Sequence, residues 1–510
     1  MLALVKSLTL AGMEAAKIQV EVDVSSGLPS FDLVGLPDTA VRESKERVRT
    51  AIKNSGFEFP AKRITVNLAP ADLKKEGPGF DLPIAVGILA CTGQLNSDLW
   101  QDCFFIGELS LKGDLRSIPG ALSMAWHLAQ SNRGEQLIVP IDNGHEAGLI
   151  KNAKIVAVSD LRELVSFLNG ELTIEPLTVN PEDFFLRAKP NGAEFDMIRG
   201  QGGVKRGLEI AAAGGHNVLL MGPPGAGKTL LARSLTSILP PLGLQEALEV
   251  SRIYSVAGLL TREHPLIVER PFRTPHHTAS TASVIGGGRT PKPGELSLAT
   301  HGILFLDELL EFRRDVLEAL RQPLEDRRIT VTRVQASYDY PADFMLVATA
   351  NPCPCGYYGD RERECNCTPY QIQKYRNKLS GPLLDRIDLQ MEVPRLSLEE
   401  LQAEDNGEDA QAVRERVTVA RRRQTERLRS HGLYCNAQIK GPMVQEFCPV
   451  NEEGTKLLHR AFAQLGLSMR AHHRLIKIAR TIADLEGSEL ITGSHIAEAL
   501  QYRFLDRQTI

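Results

Sequence analysis

Hydrophobic and polar positions divide the chain into three stretches of different rhythm. Over residues 1–175, runs that alternate apolar with polar positions (18–24, 63–70, 103–111, 135–140, 154–159) read as strands. Between them, 39–55, 81–93 and 121–130 carry helical spacing, which makes this stretch α/β. Residues 176–395 open on a connector with Pro176, Pro181 and Pro190. They continue with short, mainly apolar runs at 217–221, 302–308 and 344–351, the last two ending in polar residues. Such runs predict buried strands with chemistry at their ends. From 396 to 510 the pattern turns helical, and Leu475, Ile476, Ala479 and Ile482 mark one packed helix.

Composition adds bounds. At 510 residues, 43% hydrophobic and 24% charged, the chain has the make-up of a folded multidomain protein. A net charge of −4 implies no nucleic-acid partner by itself and leaves room for a local basic surface. No apolar run is long enough to span a bilayer, and the first residues alternate like strands instead of forming a secretory signal. The expected place is the cytoplasm, with no membrane partner. Cys91, Cys103, Cys435 and Cys448 are scattered and read as reduced structural thiols there.

The sharpest chemical signal is Gly222-Pro223-Pro224-Gly225-Ala226-Gly227-Lys228-Thr229, a complete phosphate-loop motif between a predicted strand and a predicted helix. Its amides would cradle the phosphates of ATP, Lys228 would reach the β- and γ-phosphates, and the Thr229 hydroxyl would ligate Mg²⁺. In Gly302-Ile-Leu-Phe-Leu-Asp307-Glu308 an apolar strand ends in two carboxylates. Asp307 would hold Mg²⁺ through water and Glu308 would act as general base on the lytic water. Asn351 ends a further apolar strand and resembles the sensor 1 of AAA+ ATPases. The segment Gly381-Pro-Leu-Leu-Asp-Arg386-Ile-Asp388 resembles the arginine-finger box of that superfamily. Arg470 stands where a sensor 2 arginine is expected, with Arg474 as a rival one turn later. Gln201, in Ile198-Arg-Gly-Gln201, resembles the adenine-side segment.

Together with Arg273-Thr-Pro-His-His277 and Asn351-Pro-Cys-Pro-Cys-Gly356, these motifs resemble the magnesium-chelatase-like AAA+ family, within it the YifB/ComM branch, over essentially the whole chain. The resemblance implies a homo-hexameric ring. It also implies two inserts, one following helix 2 at about 254–296 and a hairpin before sensor 1 at about 329–341. In related rings such inserts line the pore. Arg289, Lys292, Arg327, Arg328 and Arg333 are thus candidates for gripping a DNA backbone, against ordinary solvated or packing arginines. The basic helix 413–429, with seven arginines against two glutamates, could equally face nucleic acid, solvent or a neighbouring subunit.

Cys353, Cys355, Cys365 and Cys367 form a C-x-C…C-x-C cluster within fifteen residues, the insert 352–368. Four thiolates can hold a structural Zn²⁺; reduced thiols or a redox pair are the alternatives. Near the N-terminus, the sequences around Gly79 and at 105–120 are similar to the proteolytic domain of Lon proteases. Gly79 stands at the serine position and Leu122 at the lysine position, so the resemblance implies a proteolytically inactive scaffold.

The expected architecture is therefore a Lon-protease-like domain (1–175), an AAA+ P-loop core (176–395) and a helical lid (396–510). The branch resemblance implies an ATP-driven DNA helicase that promotes branch migration on single-stranded or branched DNA in natural transformation, with recombination proteins as candidate partners. A protein-remodelling ring and a metal-chelatase motor subunit are the competing readings.

Overall fold

The computed structural model describes residues 1–131, 134–187, 194–288, 292–332, 337–360, 362–379, 381–397, 408–465, 468–503 and 505. Its N-terminal part is a seven-stranded mixed sheet. The strands are β1 (Leu2–Ala11), β2 (Glu14–Ser25), β3 (Ser30–Val34), β4 (Arg63–Ala69), β5 (Cys103–Phe105), β6 (Gln136–Pro140) and β7 (Lys154–Val158), in the order β3-β4-β2-β1-β5-β6-β7. Alternation does what the pattern predicts. Ile18, Val20, Val22 and Val24 of β2 point into one core while the residues between them are more exposed. Helix Asp81–Cys91 is buried on every side and crosses β1 and β2. Gly87 permits that crossing, because a Cβ there would stand 2.4 Å from Val22 Cγ2.

The central part is a parallel five-stranded sheet. Its strands are β8 (Val218–Met221), β9 (Phe272–Arg273), β10 (Ile303–Leu306), β13 (Met345–Ala350) and β14 (Leu389–Glu392), in the order β9-β10-β13-β8-β14. The hairpin of β11 (Arg328–Thr332) and β12 (Ser337–Pro341) precedes β13, at the place expected for the second insert. The first insert is smaller than the expected 254–296 stretch. Helix Leu244–Ala257 occupies the start of that stretch. The insertion proper reduces to a short pairing of Gly286–Gly287 with Lys292–Pro293, between helices Thr281–Ile285 and Glu295–Leu298.

Helices Ala410–Leu428, Glu452–Leu465, Met469–Glu486 and Gly493–Gln501 make the C-terminal bundle. The basic helix Ala410–Leu428 spends part of its arginine charge inside the subunit. Arg416 pairs with Glu209, Arg421 donates to the Ala212 carbonyl, and Arg427 makes a two-pronged pair with Asp484 at 2.8 Å. Part of the charge that could face nucleic acid thus holds the helix to the core and to its own bundle, while Arg422 and Arg429 of the same basic stretch are exposed. The N-terminal domain is tied to the core chiefly through helix Leu244–Ala257. There Arg252 lies over the Trp126 ring at 5.2 Å and pairs with Glu14 at 3.0 Å. Among the described residues no helix is long and apolar enough to cross a membrane.

Candidate active site

In a parallel sheet every strand delivers its last residue to the same edge, so order and direction decide which side chains meet. Strand β13 lies between β8 and β10, and the loops after these three strands carry Asn351, the phosphate loop and Asp307-Glu308. Gly225 and Gly227 have φ of 80° and 81°, and nothing lies within 4 Å of where a Cβ would stand on either. The loop is therefore open on its inner side, above the start of helix Lys228–Ile238.

Lys228 Nζ donates to the Gly222 carbonyl at 2.7 Å, the Pro223 carbonyl at 2.9 Å and Asn351 Oδ1 at 3.2 Å. The lysine and the expected sensor 1 residue thus address the same volume. Burial lowers the Lys228 pKa, opposed by the charges of Asp307 and Glu308. Thr229 Oγ1 donates to Asp307 Oδ2 at 3.2 Å, which brings together the two groups expected at Mg²⁺. Asp307 Oδ1 accepts from Thr349, whose own Oγ1 accepts the Glu308 amide at 2.9 Å. Glu308 adopts φ 52°, a left-handed conformation that swings its exposed carboxylate out of the strand direction. Thr349, buried in β13, was missed by sequence reasoning. Its signal was one hydroxyl residue in an otherwise apolar strand.

Gln201 also has a left-handed backbone, φ 57°. Its Nε2 reaches the Ala226 carbonyl at 3.4 Å and the Pro394 carbonyl at 3.0 Å, while its buried Oε1 has no hydrogen-bond partner. An orphaned acceptor beside the phosphate loop suits an amino group such as that of adenine. The residues present therefore fit ATP with Mg²⁺: Gly222–Thr229 for the phosphates, Thr229 and Asp307 for the cation, Gln201 for the base.

Arg386 is placed elsewhere. It precedes β14, whereas the phosphate loop follows β8, so the two stand at opposite edges of one parallel sheet. A four-residue strand alone separates these edges by about 13 Å. Asn217 at the start of β8 fixes that far edge: its Nδ2 donates to the Arg386 carbonyl at 2.9 Å and its Oδ1 accepts the Leu346 amide at 2.8 Å. The Arg386 guanidinium pairs with Glu325 and donates to the Pro382 carbonyl. Arg386, Arg470 and Arg474 line one cavity of about 1200 Å³. Arg470 is exposed. Arg474 is tied to Asp388 at 3.4 Å. Although Asp388 is buried, His216, Arg474 and Lys477 hold its carboxyl well below the usual range.

Of the DNA-contact candidates, Arg289 and Arg333 lie outside the described residues. Lys292 is exposed on the helix-2 insert. Arg327 is paired with Asp343, and Arg328 is exposed beside it; both line the Arg386 cavity, which Lys292 does not reach.

The four clustered cysteines do converge. Their sulfurs all lie within 4.8 Å of one another, with Cys353–Cys355 at 3.3 Å, Cys353–Cys365 at 3.7 Å and Cys355–Cys365 at 3.6 Å. The Tyr357 backbone amide draws the Cys355 thiol down to about 6. The cluster can hold a metal ion. The remaining four cysteines are buried free thiols; burial pushes Cys103 and Cys448 up to about 12.

Comparison with known proteins agrees with this geometry. Three family models match: magnesium chelatase, subunit ChlI, over residues 194–401; subunit ChlI of Mg-chelatase over 20–143; and the ChlI C-terminal model over 407–503. The chain is 45% identical to protein YifB of Salmonella typhimurium and of Escherichia coli, covering 100% of this chain and 98% of each relative. It is also 45% identical to competence protein ComM of Haemophilus influenzae, over 99% of this chain and 98% of that protein. With an ATPase core of this order and relatives matched end to end, the chain belongs to the YifB/ComM branch of the magnesium-chelatase-like AAA+ family.

Proposed function

We propose that the protein is a hexameric, ATP-driven DNA motor that promotes branch migration during homologous recombination of incoming DNA. The observation that carries the ring is the separation of Arg386 from its own phosphate loop. An arginine at the opposite sheet edge can serve only a neighbouring subunit's nucleotide, so ATP turnover needs an assembly. Arg470 shares the Arg386 cavity and acts on that same neighbour. The similarity to competence protein ComM supports DNA as the partner.

At each site the phosphate-loop amides and Lys228 bind and orient the triphosphate. Thr229 and Asp307 hold Mg²⁺, which neutralises charge on the phosphates. Glu308 takes the proton of the attacking water, and Asn351 orients that water. Thr349 positions both Asp307 and Glu308, the first through its carboxylate and the second through its amide. In this reading the four cysteines bind a structural Zn²⁺.

The test is branch migration of a synthetic four-stranded junction with ATP, beside a Lys228→Ala control. Strand exchange that is lost in the control is expected. ATP hydrolysis without any exchange would overturn the DNA reading and favour a ring that remodels protein.

A further inference from the structure

The cysteine cluster is built against the ATP site. Strand β13 ends at Ala350, Asn351 follows, and Cys353 is two residues further, fully buried. Gly356 turns the first cysteine pair back with φ 86°, its amide donating to the Cys353 carbonyl at 3.0 Å. A Cβ on Gly356 would stand 2.7 Å from Pro224 Cδ, so the turn rests directly on the phosphate loop. Arg395 makes a second link: one guanidinium nitrogen donates to the Pro224 carbonyl at 3.2 Å and the other to Glu362, between the two cysteine pairs, at 2.9 Å. Arg376 ties the near end, donating to the Pro352 carbonyl at 3.2 Å and lying over the Tyr358 ring at 5.1 Å.

Sulfur geometry decides what closes this loop. Tetrahedral zinc with bonds of about 2.3 Å sets its sulfurs about 3.8 Å apart. The sulfur contacts of 3.3 to 3.7 Å approach that value and lie far above the bonded distance of about 2.05 Å in a disulfide. Cys353 and Cys365 come from the two separate cysteine pairs and still meet at 3.7 Å, against 3.3 Å for Cys353 and Cys355 within one pair. One shared ion explains such convergence where separate pairs do not.

We propose that the Zn²⁺ knuckle of Cys353, Cys355, Cys365 and Cys367 is a strut of the ATP site, setting the positions of Asn351 and the Pro223-Pro224 turn, so that zinc loss weakens nucleotide binding. This rests on the zinc reading above and adds a consequence to it. Without the ion, nothing covalent spans the insert, and the Gly356 and Arg395 contacts on Pro224 lose their common anchor. The phosphate loop itself stays folded on β8 and its helix, so the effect is on nucleotide affinity ahead of stability.

The experiment uses the full chain and a fluorescent ATP analogue. Zinc content is measured by elemental mass spectrometry, then zinc is released with a thiol reagent and chelator, and restored after reduction. One zinc per chain, a Kd for the analogue that rises at least about tenfold on zinc release, and recovery on Zn²⁺ return are expected. Arg395→Ala is the second variant: it should keep its zinc, shown by the same elemental analysis, yet bind the analogue more weakly, because the link from Glu362 to the Pro224 carbonyl is lost. Zinc bound but with an unchanged Kd on release overturns the strut and leaves the zinc site standing. Absence of zinc, with none taken up from a Zn²⁺-containing buffer under reducing conditions, overturns both.

Discussion

Ser255, near the end of a core helix, donates its hydroxyl to the buried carboxylate of Glu146 in the N-terminal domain at 2.6 Å. Around this contact the Gly120 amide donates to the Ser255 carbonyl at 2.9 Å, and the Leu122 amide approaches Ser255 Oγ at 3.4 Å. The stretch that resembles the lysine region of a Lon protease is thus the seat on which the ATPase core rests. Leu122 itself is wholly buried there.

That contact predicts a pH-dependent docking of the N-terminal domain. Burial raises the Glu146 pKa, against the lowering effect of its bonds to Ser255 and Asn143. A raised carboxyl pKa means the folded state holds its proton to higher pH than the unfolded chain does. The stabilisation is full below the ordinary glutamate value and is lost as pH rises through the folded value. Glu146→Gln removes the charge, and its amide can still bond Ser255. Its melting temperature relative to wild type should climb with pH across that window. Parallel melting curves from pH 4 to 8 would sink the idea.

Arg386→Ala should lower ATP turnover by about 10³-fold or more, with nucleotide affinity largely kept. On the proposed assignment of Arg386 to a neighbour's nucleotide, mixing this variant with Lys228→Ala rebuilds interfaces that have an intact phosphate loop on one side and an intact Arg386 on the other. Partial recovery of turnover is expected in such mixtures. No recovery, in rings shown by native mass spectrometry to be mixed, would place Arg386 outside the catalytic machinery.

Glu308→Gln keeps the shape of the site and removes the proposed base. Turnover should fall by about 10²- to 10⁴-fold while ATP binds as before. Thr349→Val tests the positioning role beside it: it should lower kcat more than it alters KM, since it loosens Asp307 and the Glu308 amide together. A variant with unchanged kcat would contradict that role.

Asp484 is buried and accepts from Arg427, Arg480 and Asn436. Asp484→Ala strands these donors and should cost about 3–5 kcal/mol, measured by denaturant unfolding. A loss under about 1 kcal/mol would mean that the bundle is held by its apolar face alone.

Arg328 is exposed and Arg327 is held by Asp343, so the two should differ on DNA. Arg328→Ala is expected to reduce the salt slope of single-stranded DNA binding by about one, the loss of a single phosphate contact. An unchanged slope would remove Arg328 from the DNA path.

Local chemistry was legible along the chain. A phosphate loop needs its glycines, lysine and threonine in consecutive positions, so Gly222–Thr229 could be read without a fold, and so could the strands ending at Asp307 and Asn351. Period-two and helical spacing located the main strands and helices for the same reason: each is a property of a few neighbouring residues. What tertiary structure decided depends on partners far apart in sequence. The expected 254–296 insert came out smaller, because Phe272–Arg273 joins the central sheet and leaves beyond it a short pairing of Gly286–Gly287 with Lys292–Pro293. Of the arginines of Ala410–Leu428, Arg416, Arg421 and Arg427 are claimed by Glu209, the Ala212 carbonyl and Asp484, while Arg422 is exposed. Thr349 gained its role only when β13 was set beside β10. Strand direction put Arg386 at the edge away from its own nucleotide, a fact that no spacing in the sequence encodes, since the order and polarity of strands arise only when the sheet assembles.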